Sequence, residues 1–305
     1  MTSYCLKCRD LVLSWIRYSE GKVYLAKHCV KCGHTETEIE SDWEYTLSQD
    51  NLPRTSSQND CYMIDITQKC DAGCRSCYNR GTAHRSIVDF MEELESIPKA
   101  SRVLISGGEP LQRPNFELFF TATANMGHFP ILLTNGAYLT MPVYEKLLSG
   151  GLCCYGSPQI AVSLGLPGTN TTFKRSFANL QQIKVADIAF TIDSVSEIPL
   201  VIDLSTKLRG HYDSICIRTA WDGSNSGLFI SDVIKALNGE VVIGPTPHGY
   251  RSAMVHKDGI LYKILSWPSW KQWDKERYEG RGVWYKGDNV VNTLVKTHVA
   301  TLSLS

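Results

Sequence analysis

The chain has 305 residues, of which 43% are hydrophobic and 20% charged, the composition of a globular protein with one large core and room for a small second module. Its 31 basic and 31 acidic residues cancel to a formal charge of +0, which argues against the strongly basic surface of a dedicated duplex-DNA binder and leaves local patches open. No apolar run approaches the roughly 18 residues that span a bilayer, so we expect no membrane partner.

The first residues form neither a basic nor an apolar signal segment, so we expect a cytoplasmic protein, present as a monomer or a homodimer. The chain carries 11 cysteines. In a reducing compartment such a number favours metal ligands over disulfides.

Residues 1–46 contain two C-x2-C pairs, Cys5 with Cys8 and Cys29 with Cys32. Each pair can wrap a turn around one tetrahedral ion, and zinc suits four thiolates best, although rubredoxin-type iron uses the same ligands. So small a segment buries too little apolar surface to fold alone, and we expect its folding to depend on the ion. We call it the N-terminal module; its role is structural or substrate-binding.

Residues 47–59 are polar and without periodicity, which is typical of a linker. Residues 60–238 then alternate short β-branched runs with amphipathic segments, the pattern of βα units around a parallel sheet. The expected strands are 62–66, 102–106, 130–134, 159–164, 187–192 and 214–218. The expected helices are 87–96, 116–126, 142–148, 172–183, 198–208 and 229–237. Six units predict an α/β fold with a partial (β/α)6 barrel, and residues 239–305 form a short C-terminal extension with a hairpin at 257–259.

Three cysteines, Cys70, Cys74 and Cys77, follow the first barrel strand as C-x3-C-x2-C. Active sites of βα barrels lie at the carboxyl ends of the strands, where this loop is expected. Three thiolates leave one iron of a four-iron cluster without a protein ligand, and an external molecule can bind there.

A second motif, Gly107-Gly108-Glu109-Pro110, follows the second strand. With these two motifs, residues 60 to 220 resemble the radical S-adenosylmethionine superfamily. The resemblance implies a [4Fe-4S] cluster whose open iron binds S-adenosylmethionine, reductive cleavage to methionine and a 5′-deoxyadenosyl radical, and hydrogen abstraction from a substrate. It also implies that Gly107 and Gly108 admit the methionine amino group, that Glu109 accepts a hydrogen bond from it, and that flavodoxin or ferredoxin supplies the electron.

Weaker matches to the family extend the cofactor site. Asn135 follows the third strand, Ser163 ends the fourth and Arg218 ends the sixth, where they would contact cofactor or substrate. The family often has an aromatic residue before the third cysteine; this chain has Ser76 there, and Tyr78 is the substitute expected against adenine. Alternation of side chains along a strand places Cys216 on the same face as Arg218, so Cys216 is a candidate to donate a hydrogen atom in the radical reaction. The alternative is that Cys216 is a small residue packed in the core.

A C-terminal segment interleaves aromatic and basic side chains, a mixture that suits base stacking and phosphate contact or, alternatively, packing of the extension. Its members are Trp267, Trp270, Lys271, Trp273, Arg277, Arg281 and Trp284. In size and layout the chain resembles the small radical enzymes of viral thymidine hypermodification, which rearrange an amino acid joined to the base and would work in a host cytoplasm. The leading hypothesis is therefore rearrangement of a nucleobase or an amino-acid-modified thymidine in DNA, an isomerase reaction. The alternatives are a lipid, peptide or small-molecule substrate, and a non-catalytic zinc and iron-sulfur redox sensor.

Overall fold

A computed structural model describes most of the chain, and secondary structure alternates along it. The described residues are 2–5, 7–8, 10–48, 61–74, 77, 81–154, 157–219, 228–243, 251–266, 285–286, 289–290 and 295–297. The helices are α1 (Trp43–Ser48), α2 (Ile87–Glu95), α3 (Glu117–Asn125), α4 (Met141–Leu147), α5 (Phe173–Leu180), α6 (Ile198–Lys207) and α7 (Ile230–Leu237). A π-helical turn covers Leu148–Leu152, and 3-10 turns cover Pro110–Gln112 and Val195–Glu197.

The strands group at both ends of the chain and alternate with helices between them. The first four are β1 (Thr2–Tyr4), β2 (Leu11–Ser19), β3 (Lys22–Cys29) and β4 (Gly33–Glu40). The next eight are β5 (Cys61–Thr67), β6 (Arg102–Gly107), β7 (Phe129–Thr134), β8 (Cys153–Cys154), β9 (Ser157–Pro158), β10 (Ile160–Ser163), β11 (Val185–Ile192) and β12 (Tyr212–Thr219). The last are β13 (Glu240–Ile243), β14 (Arg251–Lys257), β15 (Ile260–Ser266), β16 (Tyr285–Lys286), β17 (Asn289–Val290) and β18 (Val295–Thr297).

The chain divides into two compact units. The first unit comprises Met1–Thr55, Ile192–Leu200 and Cys216–Arg281; the second comprises Ser56–Thr191, Val201–Ile215 and Gly282–Ser305. All six expected barrel strands and all six expected helices are present, with ends shifted by three residues or fewer. No described helix has the length and apolar character that a membrane crossing requires.

The second unit is built on a sheet with strand order β12-β11-β10-β7-β6-β5-β18. Neighbours from β5 to β11 are parallel, each joined to the next through a helix, and β18 adds antiparallel to β5. Val103, Ile105 and Leu132 are fully buried on one face, as expected for the side that crossover helices cover. Leu104 and Ser163 are only half-buried on the opposite face, which we call the inner face. These findings confirm the α/β class and agree with the expected partial barrel.

The first unit contains a sheet that sequence analysis did not predict. Strands β1 to β4 form an antiparallel sheet in chain order, where only two turns around an ion were expected. A tight turn at Glu20 and Gly21, with φ of 51° and 75°, joins β2 to β3, the backbone that twisted hairpins favour. The same unit contains the expected hairpin, β14 paired with β15.

A buried carboxylate links the N-terminal sheet to α7 inside the first unit. Glu40, at the end of β4, is fully buried and accepts hydrogen bonds from the hydroxyl and the backbone N–H of Ser231 in the first turn of α7. Asp42 forms an ion pair with Lys235 at 2.5 Å on the same helix. An acidic group at a helix N-terminus satisfies free N–H groups and stabilises the helix. Residues 49–60, most of the expected linker, lie outside the described residues.

Candidate active site and metal centre

The loop that carries the three cysteines is fixed at its base by backbone hydrogen bonds. The N–H of Gly108 donates to the carbonyl of Thr67 at 2.7 Å, and the N–H of Glu109 donates to the carbonyl of Lys69 at 2.8 Å. The returning end of the loop is held as well, because the N–H of Gln68 donates to the carbonyl of Ala83 at 2.8 Å. The cysteine loop and the glycine motif are therefore one structural assembly.

Gly107 and Gly108 are required by this close approach. A Cβ atom on Gly107 would lie 2.1 Å from the carbonyl oxygen of Thr67, and one on Gly108 would lie 2.3 Å from that of Lys69. Backbone atoms cannot yield as a flexible side chain can, and Gly107 has a φ of 134° besides. The structure thus gives both glycines a role in seating the cysteine loop, and their expected approach to the cofactor stays a prediction.

The three cysteines of the loop are all half-buried. The N–H of Cys77 donates to the carbonyl of Cys74 at 3.3 Å, and the N–H of Ala72 donates to the sulfur of Cys70 at 3.4 Å. Burial, and then the neighbouring thiolates, raises the pKa of Cys74 to about 11. A positively charged metal centre is the partner that stabilises neighbouring thiolates of this kind. Tyr78, the residue expected against adenine, lies outside the described residues, as does Ser76.

Glu109 is fully buried next to this loop. Its Oε1 accepts hydrogen bonds from the N–H of Leu111 at 3.0 Å and from the hydroxyl of Thr134 at 2.6 Å, and its Oε2 accepts one from the N–H of Asn135 at 2.7 Å. Burial outweighs these donors and raises the pKa of Glu109 to about 7. A carboxylate offers about four lone-pair directions, and the contacts among the described residues use three of them. One direction on Oε2 can therefore accept a hydrogen bond from a further donor.

Asn135 connects the acid to the cysteine loop. Its backbone N–H contacts Glu109, and its side-chain Nδ2 lies 3.8 Å from the sulfur of Cys70. Its Oδ1 accepts a hydrogen bond from the N–H of Ala137 at 2.8 Å, which fixes the orientation of the amide. The structure therefore brings Glu109, Asn135 and Cys70 together.

A polar network that the sequence did not reveal surrounds Asp71, the residue after the first cysteine. Its Oδ2 accepts hydrogen bonds from the hydroxyl of Tyr138 at 2.6 Å and from the guanidinium of Arg175 at 2.8 Å. The hydroxyl of Thr171 donates to the backbone carbonyl of Asp71 at 2.7 Å. These contacts hold the cysteine loop to the segments after β7 and β10. The residues lie up to 104 positions apart, and only the tertiary structure brings them together.

The remaining expected site residues lie at different places. Ser163 is half-buried at the end of β10, on the inner face of the second unit. Cys216 is buried and Arg218 half-buried on the part of β12 that belongs to the first unit. Their expected roles stay predictions.

The four cysteines of the N-terminal module converge on one point. Cys5, Cys8, Cys29 and Cys32 offer sulfur atoms that all lie within 4.8 Å of one another, the one such group of possible metal ligands among the described residues. Burial opposes ionisation of Cys5, but the backbone N–H groups of Cys8 and Lys7 outweigh it and lower the pKa of Cys5 to about 6. This donor set fits a single tetrahedral ion.

Lys27, which sequence analysis did not single out, is buried beside this centre. It is 4% exposed and lies two residues before Cys29 on β3, on the same strand face. Burial lowers the pKa of Lys27, and the charge of Cys5 acts in the opposite direction. A buried ammonium needs negative charge nearby, and four thiolates around a divalent ion supply it. Lys31, next to Cys32, is exposed and paired with Asp10 at 2.7 Å.

The cysteine loop offers three thiolates rather than four, and this number fits its expected cofactor. A single ion draws its ligands together, whereas a four-iron cluster is larger and takes each thiolate on a different iron. The residues present therefore fit a [4Fe-4S] cluster on these three cysteines, with the open lone pair of Glu109 nearby for a bound amine.

Comparison with known proteins gives the following similarities. No family model matches the chain. The structure of SuiB from Streptococcus suis bound to S-adenosylmethionine is 16% identical, with a TM-score of 0.41 over 58% of this chain and 43% of that chain. SuiB bound to its precursor peptide SuiA is 14% identical, with a TM-score of 0.42 over 74% of this chain and 65% of that chain.

A curated relative matches at the level of sequence. The AdoMet-dependent heme synthase of Methanosarcina barkeri (strain Fusaro / DSM 804) is 31% identical over 153 residues, 43% of this chain. The chain spans 40% of the length of that relative. AdoMet is S-adenosylmethionine, the molecule that the cysteine loop and the Gly-Gly-Glu-Pro motif would bind together. Over these 153 residues the chain is therefore similar to an AdoMet-dependent enzyme, in agreement with the superfamily that its two sequence motifs resemble.

Proposed function

We propose that this protein is a radical S-adenosylmethionine enzyme that holds a [4Fe-4S] cluster on Cys70, Cys74 and Cys77. The observation that carries the proposal is the seating of Glu109, a buried acid with one open lone pair, against the base of the cysteine loop. When bound, the cluster supplies the electron that cleaves S-adenosylmethionine to methionine and a 5′-deoxyadenosyl radical, which takes a hydrogen atom from the substrate.

The residues of the chain bind and orient the reactants. Glu109 accepts a hydrogen bond from the methionine amino group, and the three donors on its carboxylate fix its orientation. Asn135 donates to the sulfur of Cys70 and holds that side of the cluster. Ser163 is the candidate to contact the ribose or the methionine carboxylate of S-adenosylmethionine. Arg218 is the candidate to bind a carboxylate of the cofactor or of the substrate. Burial of Glu109 keeps water away from this contact, which strengthens it.

The N-terminal centre is proposed to hold zinc, with rubredoxin-type iron as the alternative. The tight sulfur group and the buried Lys27 support a complex of four thiolates with a divalent ion. Flavodoxin or ferredoxin is the proposed electron donor, in the cytoplasm, or in that of the host if the source is viral.

The proposed substrate is a nucleobase or an amino-acid-modified thymidine in DNA, rearranged in an isomerase reaction. The support is the mixture of aromatic and basic side chains between Trp267 and Trp284, which lies outside the described residues. A lipid, a peptide or a small molecule is the alternative, and the name of the heme synthase relative adds a tetrapyrrole to the small molecules. A redox sensor without catalysis has no use for an acid placed as Glu109 is.

One assay series tests both levels of the proposal. Anaerobically reconstituted protein, reduced with dithionite, is expected to convert S-adenosylmethionine into equal amounts of methionine and 5′-deoxyadenosine, and Cys74→Ala protein is expected to form neither. Labelled single- and double-stranded DNA is then titrated at two salt concentrations. Binding that weakens steeply with salt supports a nucleic-acid substrate, because basic side chains release counterions. If S-adenosylmethionine is cleaved but DNA does not bind, the protein is still a radical S-adenosylmethionine enzyme, and the nucleic-acid substrate is excluded.

A further inference from the structure

One row of side chains crosses the inner face of the second unit just below the strand ends. Asp65 on β5 pairs in register with Ser106 on β6. Because Ile105 pairs with Leu132, the next residue of β7, Leu133, lies beside Ser106. The register continues through Ala161 on β10 to Asp187 on β11, and the hydroxyl of Ser214 donates to the carboxylate of Asp187. The row is Asp65, Ser106, Leu133, Ala161, Asp187 and Ser214.

This row contains two acids and two hydroxyl groups, and no basic side chain. Leu133, Ala161 and Asp187 are half-buried, so this face is not filled like the fully buried face opposite. Asp65 lies two residues before the end of β5, about 6.6 Å along the strand. A group bound here would therefore lie close below the cysteine loop, which begins where β5 ends.

Asp65 is the unsatisfied member of the row. It is 2% exposed, and neither of its carboxyl oxygens has a hydrogen-bond partner among the described residues. Burial raises the pKa of Asp65 to about 8, although the positive charge of Arg85 and the hydroxyl of Ser106 both favour the charged form. The negative charge of Glu93 acts in the same direction as burial. A buried carboxyl group without donors lowers the stability of the fold, so Asp65 weakens the fold unless something supplies donors.

The chemistry of the missing partner follows from the surroundings. A carboxylate accepts hydrogen bonds and attracts positive charge, so it repels a carboxylate or phosphate and selects a donor. The charge of Arg85 reaches Asp65, but the Nε of Arg85 donates to the backbone carbonyl of Asp65, its Nη1 pairs with Glu93, and neither carboxyl oxygen of Asp65 accepts a hydrogen bond from it. Leu133 and Ala161 along the row suit an uncharged chain or ring. A protonated amine on an otherwise apolar or neutral scaffold combines these properties.

We infer that the substrate carries a primary amine and that Asp65, with Ser106 beside it, binds the ammonium form of that amine. The inference rests on the proposed function, which brings the substrate to the inner face below the strand ends. It narrows the substrate class, because an amino-acid-modified nucleoside offers such an amine, whereas an unmodified thymine or a simple fatty chain does not. Asp65 is thus assigned as a specificity-determining residue.

The test uses infrared spectroscopy of the anaerobically reconstituted full chain, with n-butylammonium as the amine probe and n-butanol as its neutral match. Wild-type protein near neutral pH is expected to show the carbonyl band of a protonated carboxylic acid that Asp65→Asn lacks. Butylammonium should remove the band, because the bound cation ionises Asp65, and butanol should leave it. Asp65→Asn should weaken butylammonium binding by about tenfold or more. Asp203→Asn, which changes an exposed acid paired with Lys207, should alter neither result.

Each other outcome overturns the inference. A band that persists with butylammonium, a wild-type spectrum without the band, or equal affinity in Asp65→Asn would mean that water or protein groups satisfy this side chain. If Asp65→Asn does not fold, Ser106→Ala identifies the band by shifting it. Cleavage of S-adenosylmethionine by wild-type protein is measured separately. If wild-type protein cleaves S-adenosylmethionine but the butylammonium test fails, only the role of Asp65 is refuted. If it does not cleave S-adenosylmethionine, the proposed function is refuted.

Discussion

The backbone N–H of Asn135 donates to Glu109 at 2.7 Å, while the side chain of the same residue lies 3.8 Å from the sulfur of Cys70. One residue of the loop after β7 thus contacts both the acid proposed to hold the cofactor amine and the first ligand of the proposed cluster. A shift of this loop would change both sites together.

The amide of Asn135 is expected to tune the reduction potential of the cluster. A donor to a thiolate stabilises the reduced cluster, which carries more negative charge, so Asn135→Ala should lower the potential by about 30–60 mV. Redox titration followed by electron paramagnetic resonance measures this change. Asn179→Ala is the matched control, because Asn179 supports the same loop through the carbonyl of Gly136 at 2.9 Å without a contact to sulfur. Equal potentials in wild type and Asn135→Ala would remove the amide from the cluster environment.

The raised pKa of Glu109 predicts how cofactor affinity depends on pH. The free acid loses its proton near pH 7 rather than near its ordinary value of 4.5, and a charge-assisted hydrogen bond needs the ionised form. Affinity for S-adenosylmethionine should therefore rise as pH increases through about 7. The free energy of unfolding changes in the opposite direction with pH. The raised pKa of Glu109 contributes stability that is present below pH 4.5 and is lost as pH rises through 7.

Glu109→Gln should bind the cofactor weakly and without this pH dependence. Glu117→Gln is the control, since Glu117 pairs with Lys146 on the surface at 2.8 Å. Calorimetric titration at several pH values measures both variants. A wild-type affinity that stays flat between pH 6 and pH 8 would contradict the role given to Glu109.

The close backbone contact at Gly108 predicts a large effect of one methyl group. Gly108→Ala would press Cβ against the carbonyls of Gln68 and Lys69, and relief requires the cysteine loop to move. We expect a loss of about 1–3 kcal/mol in the free energy of unfolding and poor retention of iron. Gly150→Ala, where nothing lies within 4 Å of the added carbon, should change neither. Chemical denaturation and iron analysis provide the two readouts, and normal iron content in Gly108→Ala would refute the tight seating.

Because Lys27 is buried beside the four cysteines of the N-terminal module, we expect its positive charge to contribute to the zinc affinity of that centre. Lys27→Met removes a cation that offsets four thiolates and should weaken zinc binding by about 10- to 100-fold. Lys31→Met, at an exposed position paired with Asp10, should have little effect. Competition with a chromophoric chelator measures zinc affinity directly. Equal affinity of the two variants would show that Lys27 does not compensate the centre.

The barrel strands and helices could be predicted because each βα unit has a strong periodic pattern and is bounded by turn residues. The sheet of the N-terminal module could not, because its strands mix charged and β-branched residues and because turns around one ion account for the cysteine spacing without a sheet. Glu109, Cys70 and Asn135 follow neighbouring strands, so parallel topology alone predicts that they meet. The ion pair between Asp71 and Arg175 could not be predicted, because the two residues are far apart in the sequence and meet only through distant loops. The environment of Asp65 could not be predicted either, because it depends on the register of neighbouring strands.

S-adenosylmethionine is proposed to bind to an iron of the cluster held by Cys70, Cys74 and Cys77. Electron-nuclear double resonance on the reduced, reconstituted protein tests it directly, with S-adenosylmethionine labelled with ¹⁵N at the amino group. We expect a hyperfine coupling from the labelled nitrogen to the cluster, which is lost in Cys74→Ala because the cluster does not assemble. A reduced four-iron cluster on wild-type protein that shows no coupling to saturating labelled cofactor would rule out this binding.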